Sequence, residues 1–211
     1  MRFSRRAMGL WVPPMVLACG LALSSGLMPS WANTLPVGQG SEPVRARFDP
    51  AVNETRLFAQ VTPRLCVSMG VPGEWRLGFA DGRAALVSVA DEAELALAIR
   101  SARDLQHLPQ SDLPSRDAAL LQSDYESMLG RPAQAVSLDM FTSGVMRWTA
   151  TWIDGQLPTA SRALTVETFI VPLSDEWLVE LSLDNVEARD AYQALARQAL
   201  ASLDTHAQCG P

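Results

Sequence analysis

The chain has 211 residues, 17 basic and 23 acidic, and every basic residue is arginine, so its net charge is −6. That sign gives nucleic acid no clustered positive surface and disfavours docking on anionic lipid. The length suits one domain with a core large enough to fold without metals.

The chain opens with Arg2, Arg5 and Arg6, and residues 7–28 follow without a charge, the order of a secretory leader. Ser30-Trp31-Ala32 offers small residues three and one before a cut, which predicts cleavage after Ala32 and a mature start at Asn33. A retained anchor is the competing reading, but Pro13, Pro14, Gly20 and Gly26 suit a removable leader better, so no stable membrane span is expected after processing. Ser4-Arg5-Arg6 is open to a twin-arginine route, and Val16-Leu17-Ala18-Cys19 to lipidation at Cys19. Without the leader the balance is 14 − 23 = −9. Two cysteines remain, Cys66 and Cys209, and an oxidising compartment favours one disulfide between them over a buried thiol and a loose one.

Residues 33–62 read as a flexible lead-in: 33–50 hold three prolines and two glycines without apolar periodicity, and 51–62 fit a short helix or a strand equally well. The domain is expected over 63–211. "LCVSMGV", "WRLGF" and "AALVSVA" predict successive strands. Asp91 with Glu94 makes a capping-box start, predicting a helix with Leu95, Ala98, Ile99, Ala102 and Leu105 on one face. A second helix capped by Ser115 carries Ala118, Leu121, Tyr125, Met128 and Leu129 and stops at Gly130 and Pro132. "AVSLDMF" and "VMRWTATWI" flank Thr142-Ser143-Gly144 as a hairpin, and "ALTVETFIV" and "WLVELSL" continue the sheet. A closing helix starts at Asp184 with Glu187 in the box position; Ala188, Ala191, Tyr192, Leu195, Ala199 and Leu203 line its apolar face. The expected class is α+β, a largely antiparallel sheet of about five to six strands with helices packed on it.

"CVSMGVPGEW" resembles the opening strand, proline and tryptophan of PsbP-like domains, including DcrB-like bacterial envelope proteins. "TFIVPLSDEWLVELSL" followed by "AYQALARQALASL" is similar to their last strands and closing helix, so the resemblance spans residues 63–204. It implies an α/β/α sandwich and an accessory or partner-binding role. The residues that carry it pack; they do not react.

Chemistry is sparse. His107 falls in an interhelical loop and His206 in the tail, and neither sits in a nucleophile, metalloprotease or phosphate-loop signature. His206 and Cys209 supply two of the four ligands a closed zinc site needs, so no metal and no cofactor is expected. Asp91, Glu92 and Glu94 group where a helix start explains them. Met146, Trp148, Ala150 and Trp152 alternate along one strand and share a face, which reads as core under a helix or as a surface for a partner or apolar ligand. The expectation is a periplasmic or secreted, non-enzymatic domain that binds another envelope protein. The alternative is a small apolar-ligand carrier with an aromatic-lined cavity near Trp148 and Trp152.

Overall fold

The computed structural model describes residues 44–80, 83–158 and 162–207, all within one compact unit. Among them lie eleven strands in two antiparallel sheets, and two α-helices. The smaller sheet has the order β1 (Arg45–Asp49), β2 (Glu54–Thr62), β3 (Leu65–Pro72), β11 (Asp204–His206). In the larger sheet β4 (Trp75–Ala80), β5 (Arg83–Ser88) and β6 (Glu94–Ser101) are followed by β10 (Trp177–Asp184), β9 (Ala163–Pro172), β8 (Val145–Ile153) and β7 (Ala135–Thr142). The helices are α1 (Leu113–Leu129) and α2 (Arg189–Ala201).

The α+β class and the antiparallel pairing are as the sequence implied, but the expected five to six strands in an α/β/α sandwich are not what forms. A second sheet shares one face of the large sheet with α2, and one core binds them: Leu57, Val67, Met69 and Val71 of the small sheet, Leu86, Leu95, Leu97, Phe169, Val179 and Leu181 of the large one, and Ala196 and Ala199 of α2. Part of the expected lead-in supplies this extra layer. In β2, Leu57, Ala59 and Val61 are buried at every second position, the period of a strand with one face inward. Thr55 fixes the step between sheets: its Oγ1 donates to Gly73 O at 2.8 Å and accepts from Trp75 N at 2.9 Å.

The helix expected from Asp91 is a strand. Glu92 has φ 59°, a left-handed value that stops a helix at its first turn, and Asp91 Oδ1 accepts from Ala93 N at 3.4 Å in the β5–β6 turn. Leu95 and Leu97 then pair with Leu183 and Leu181 on the core face. "ELALAI" satisfies both a period of two and a helical stripe, and two neighbouring strands decide between them.

Helix α1 begins at Leu113 rather than after Ser115. Asp112 is the cap, its Oδ1 accepting from Ser115 N at 3.0 Å, and Pro114 is tolerated in the first turn, where its missing N–H has no partner to lose. Ala118 and Leu121 are buried and Tyr125 and Leu129 pack beside them, whereas Met128 is 69% exposed. Gly130 closes the helix at φ 66°. The β7–β8 hairpin forms as expected, turning through Gly144 at φ 80°. Helix α2 starts at Arg189; Asp184 ends β10 and Asn185, at φ 59°, breaks the chain direction before it. Among the described residues no helix is long and apolar enough to cross a membrane.

Candidate functional site

The aromatic stripe is core. Trp148, Ala150 and Trp152 are fully buried on the face of the large sheet that α1 covers, and Met146 packs at their margin. Tyr125 of α1 lies over both tryptophans, with ring centroids 5.8 Å from Trp148 and 5.7 Å from Trp152, and Trp152 Nε1 donates to Arg131 O at 3.2 Å. The expected partner or ligand surface at Met146, Trp148 and Trp152 is therefore corrected: the helix already occupies it. A water-sized void of about 20 Å³ lies beside Tyr125, lined also by Leu121, Thr168 and Glu180.

Beside that void sits a buried ionic group that no sequence spacing announced. Glu180 of β10 is 4% exposed and accepts from Arg100 Nε of β6 at 2.5 Å. Burial disfavours the Arg100 charge, but Glu180, with Asp117 and Asp124 of α1 farther off, more than offsets this and raises its pKa. Asp117 itself is fully buried. Opposite charges drawn from three elements thus meet between α1 and the sheet, with Glu180 and Asp117 buried, Arg100 partly exposed and Asp124 exposed, an arrangement that helps position the helix.

The histidines do not assemble a nucleophile. His107 is exposed in the loop before α1. His206 Nε2 lies 2.8 Å from Ser68 Oγ and 3.8 Å from Asp204 Oδ2. Serine activation needs the two ring nitrogens to face opposite partners, one taking the hydroxyl proton while the other donates to the carboxylate. Here serine and carboxylate share one nitrogen, on an exposed three-residue strand. Among the described residues no group of three or more His, Cys, Asp and Glu is placed to hold a metal.

Cys66 is buried in β3 and is disulfide-bonded. Its partner, like the leader, Cys19 and the cleavage position after Ala32, lies outside the described residues. The register of the small sheet bears on that partner: β11 runs antiparallel to β3 with His206 opposite Cys66, which delivers the chain beside Cys66 three residues before Cys209.

The surface feature of consequence is the outer side of β7. This strand ends the large sheet, and among the described residues it pairs with β8 alone. Val136 is 42% and Met140 73% exposed, and Asp139 is the strand's single charge. Two other sheet margins are blunted: β1 carries Arg45, Arg47 and Asp49 within five residues, and β11 is three residues long. β4, like β7, carries one charge, Arg76, and the β7 register shifts between Met140 and Thr142. Sequence reading placed β7 correctly in a hairpin but missed its importance, because edge position is decided by strand order. Set against protein-family models, curated proteins and solved structures, the chain matches none of them.

Proposed function

We propose that this chain is an exported, non-enzymatic domain of the periplasm or cell exterior that binds another envelope protein chain by strand addition at β7. The observation that carries the reading is the open edge: alternate residues of the regular stretch Ala135–Met140 turn amides and carbonyls outward without a partner among the described residues, Val136 and Met140 are exposed, and Asp139 is the single charge. An extended partner gains main-chain hydrogen bonds along such an edge, and Val136 and Met140 supply apolar contact on one face.

Export is supported by the arginine-led apolar start with Ala32 at its small-residue end, and a Cys66–Cys209 disulfide fits the same compartment. The PsbP-like resemblance adds an accessory role by analogy of fold alone. A photo-crosslinking residue placed at Met140 in cells tests the binding reading, with Val52, 62% exposed outside the edge, as control. Protein adducts from position 140 and none from 52 are expected; no adduct from 140 would sink it.

A further inference from the structure

We infer that the chain occupying the β7 edge is a second copy of this protein, paired antiparallel about a two-fold axis through Leu138. The inference rests on the reading of β7 as the binding edge and names its partner.

Backbone geometry restricts the choice. Successive residues of a strand point their N–H and C=O groups to opposite sides, so an antiparallel pair of identical strands must place one residue on the axis, opposite itself. The register of β7 is regular from Ala135 to Met140 and shifts between Met140 and Thr142, so axes through Ser137 or Leu138 keep most of the regular edge paired. Apolar exposure separates these two. An axis through Ser137 leaves Met140, 73% exposed, opposite Gln134 beyond the start of the strand. An axis through Leu138 keeps Met140 opposite an apolar residue of the strand and sets Asp139 opposite Ser137 of the second copy, so no two carboxylates face each other.

The same register solves the apolar exposure. Val136, Leu138 and Met140 pair with Ala150, Trp148 and Met146 of β8, so all three lie on the face that α1 covers farther in. Across the Leu138 axis, Val136 meets Met140 of the second copy at both ends and Leu138 meets its own counterpart. The two most exposed apolar residues of the strand thus cover each other, and the core on that face continues from one copy into the next. α1 leaves room for this, since Val136 and Met140 stand clear of it. The chain's arginine-only basic set provides no lysine on this edge to repel an incoming strand.

The test uses the mature protein and two readouts. Sedimentation equilibrium over a concentration series is expected to show dimer for the wild type, and Val136→Asp with Met140→Asp, which sets carboxylates opposite each other, is expected to weaken association about tenfold with the fold intact by circular dichroism. Under oxidising conditions Leu138→Cys should link to itself, because opposed residues lie about 4.5–5.5 Å apart at Cα, within disulfide reach. Ser137→Cys and Asp139→Cys, both at exposed positions, should link only when mixed. Self-linking of Asp139→Cys, or a dimer indifferent to the double aspartate variant, overturns the inference. A wild-type monomer whose position-140 adducts contain a different protein overturns the second-copy assignment and leaves strand addition standing; a monomer without adducts removes both.

Discussion

Arg100 on β6 holds Glu180 on β10 at 2.5 Å beneath α1, two residues off register, since Arg100 sits opposite Leu178 and Glu180 opposite Ala98. The ladder carries the pair diagonally, and with Glu180 4% exposed each charge depends on the other. Removing Arg100 as Arg100→Met strands a carboxylate in a poorly hydrated site and is expected to cost about 3–5 kcal/mol, measured by urea unfolding. Arg100→Met with Glu180→Leu should recover part of that loss by removing the stranded Glu180 charge, the remainder reflecting the buried Asp117, which also draws on Arg100; a double variant as unstable as the single one would contradict this account.

The Trp152 ring fills the layer between α1 and the sheet, so Trp152→Ala leaves a void that the helix cannot fully collapse into. A loss of about 3–5 kcal/mol is expected. Trp152→Phe should cost less, keeping ring volume while giving up the bond to Arg131 O. Native tryptophan emission supplies an independent check: Trp148 and Trp152 should resist an aqueous quencher until the protein unfolds.

Asp112 starts α1, and its carboxyl is held below the ordinary aspartate range, chiefly by the bond from the Ser115 backbone N–H. A depressed folded pKa means that the cap contributes above the unfolded pKa of about 3.9 and that the contribution fades as pH falls through the folded value. Asp112→Ala should therefore cost about 1 kcal/mol at neutral pH and little in strong acid. Asp112→Asn retains an acceptor and should lie near wild type throughout. Thermal melts of the three proteins across pH 2–7 read both effects, and a cost of Asp112→Ala that persists in strong acid counts against the cap.

The proposed Cys66–Cys209 link closes a loop of more than ~140 residues, which chain entropy values at ~5 kcal/mol before native strain is subtracted. Cys209→Ala should lower the melting temperature of the oxidised protein and abolish its response to reductant. It should also free a Cys66 thiol that labels only after unfolding, since Cys66 is buried. An unchanged reductant response would exclude the pairing.

Much of the domain was legible from local signals. The β7–β8 and β9–β10 strands, the Gly144 turn, the Gly130 stop and the apolar face of α1 each follow from a period or a backbone requirement contained in a few neighbouring residues. The alternation of Trp148, Ala150 and Trp152 likewise assigned one shared face, although not what would cover it.

What local signals left undecided, distant contacts resolved. Residues 94–101 fit helix and strand alike until β5 and β10 flank them, and residues 54–62 gain their strand only by pairing with β3. The Arg100–Glu180 pair spans 80 residues of chain, and the exposed margin at β7 exists because β10 returns between β6 and β9, leaving β7 outermost. Composition and period act over a turn or a strand and so determined class and element faces; strand order is a property of the whole packed chain, and it alone decided which surface is buried and which edge lies outermost.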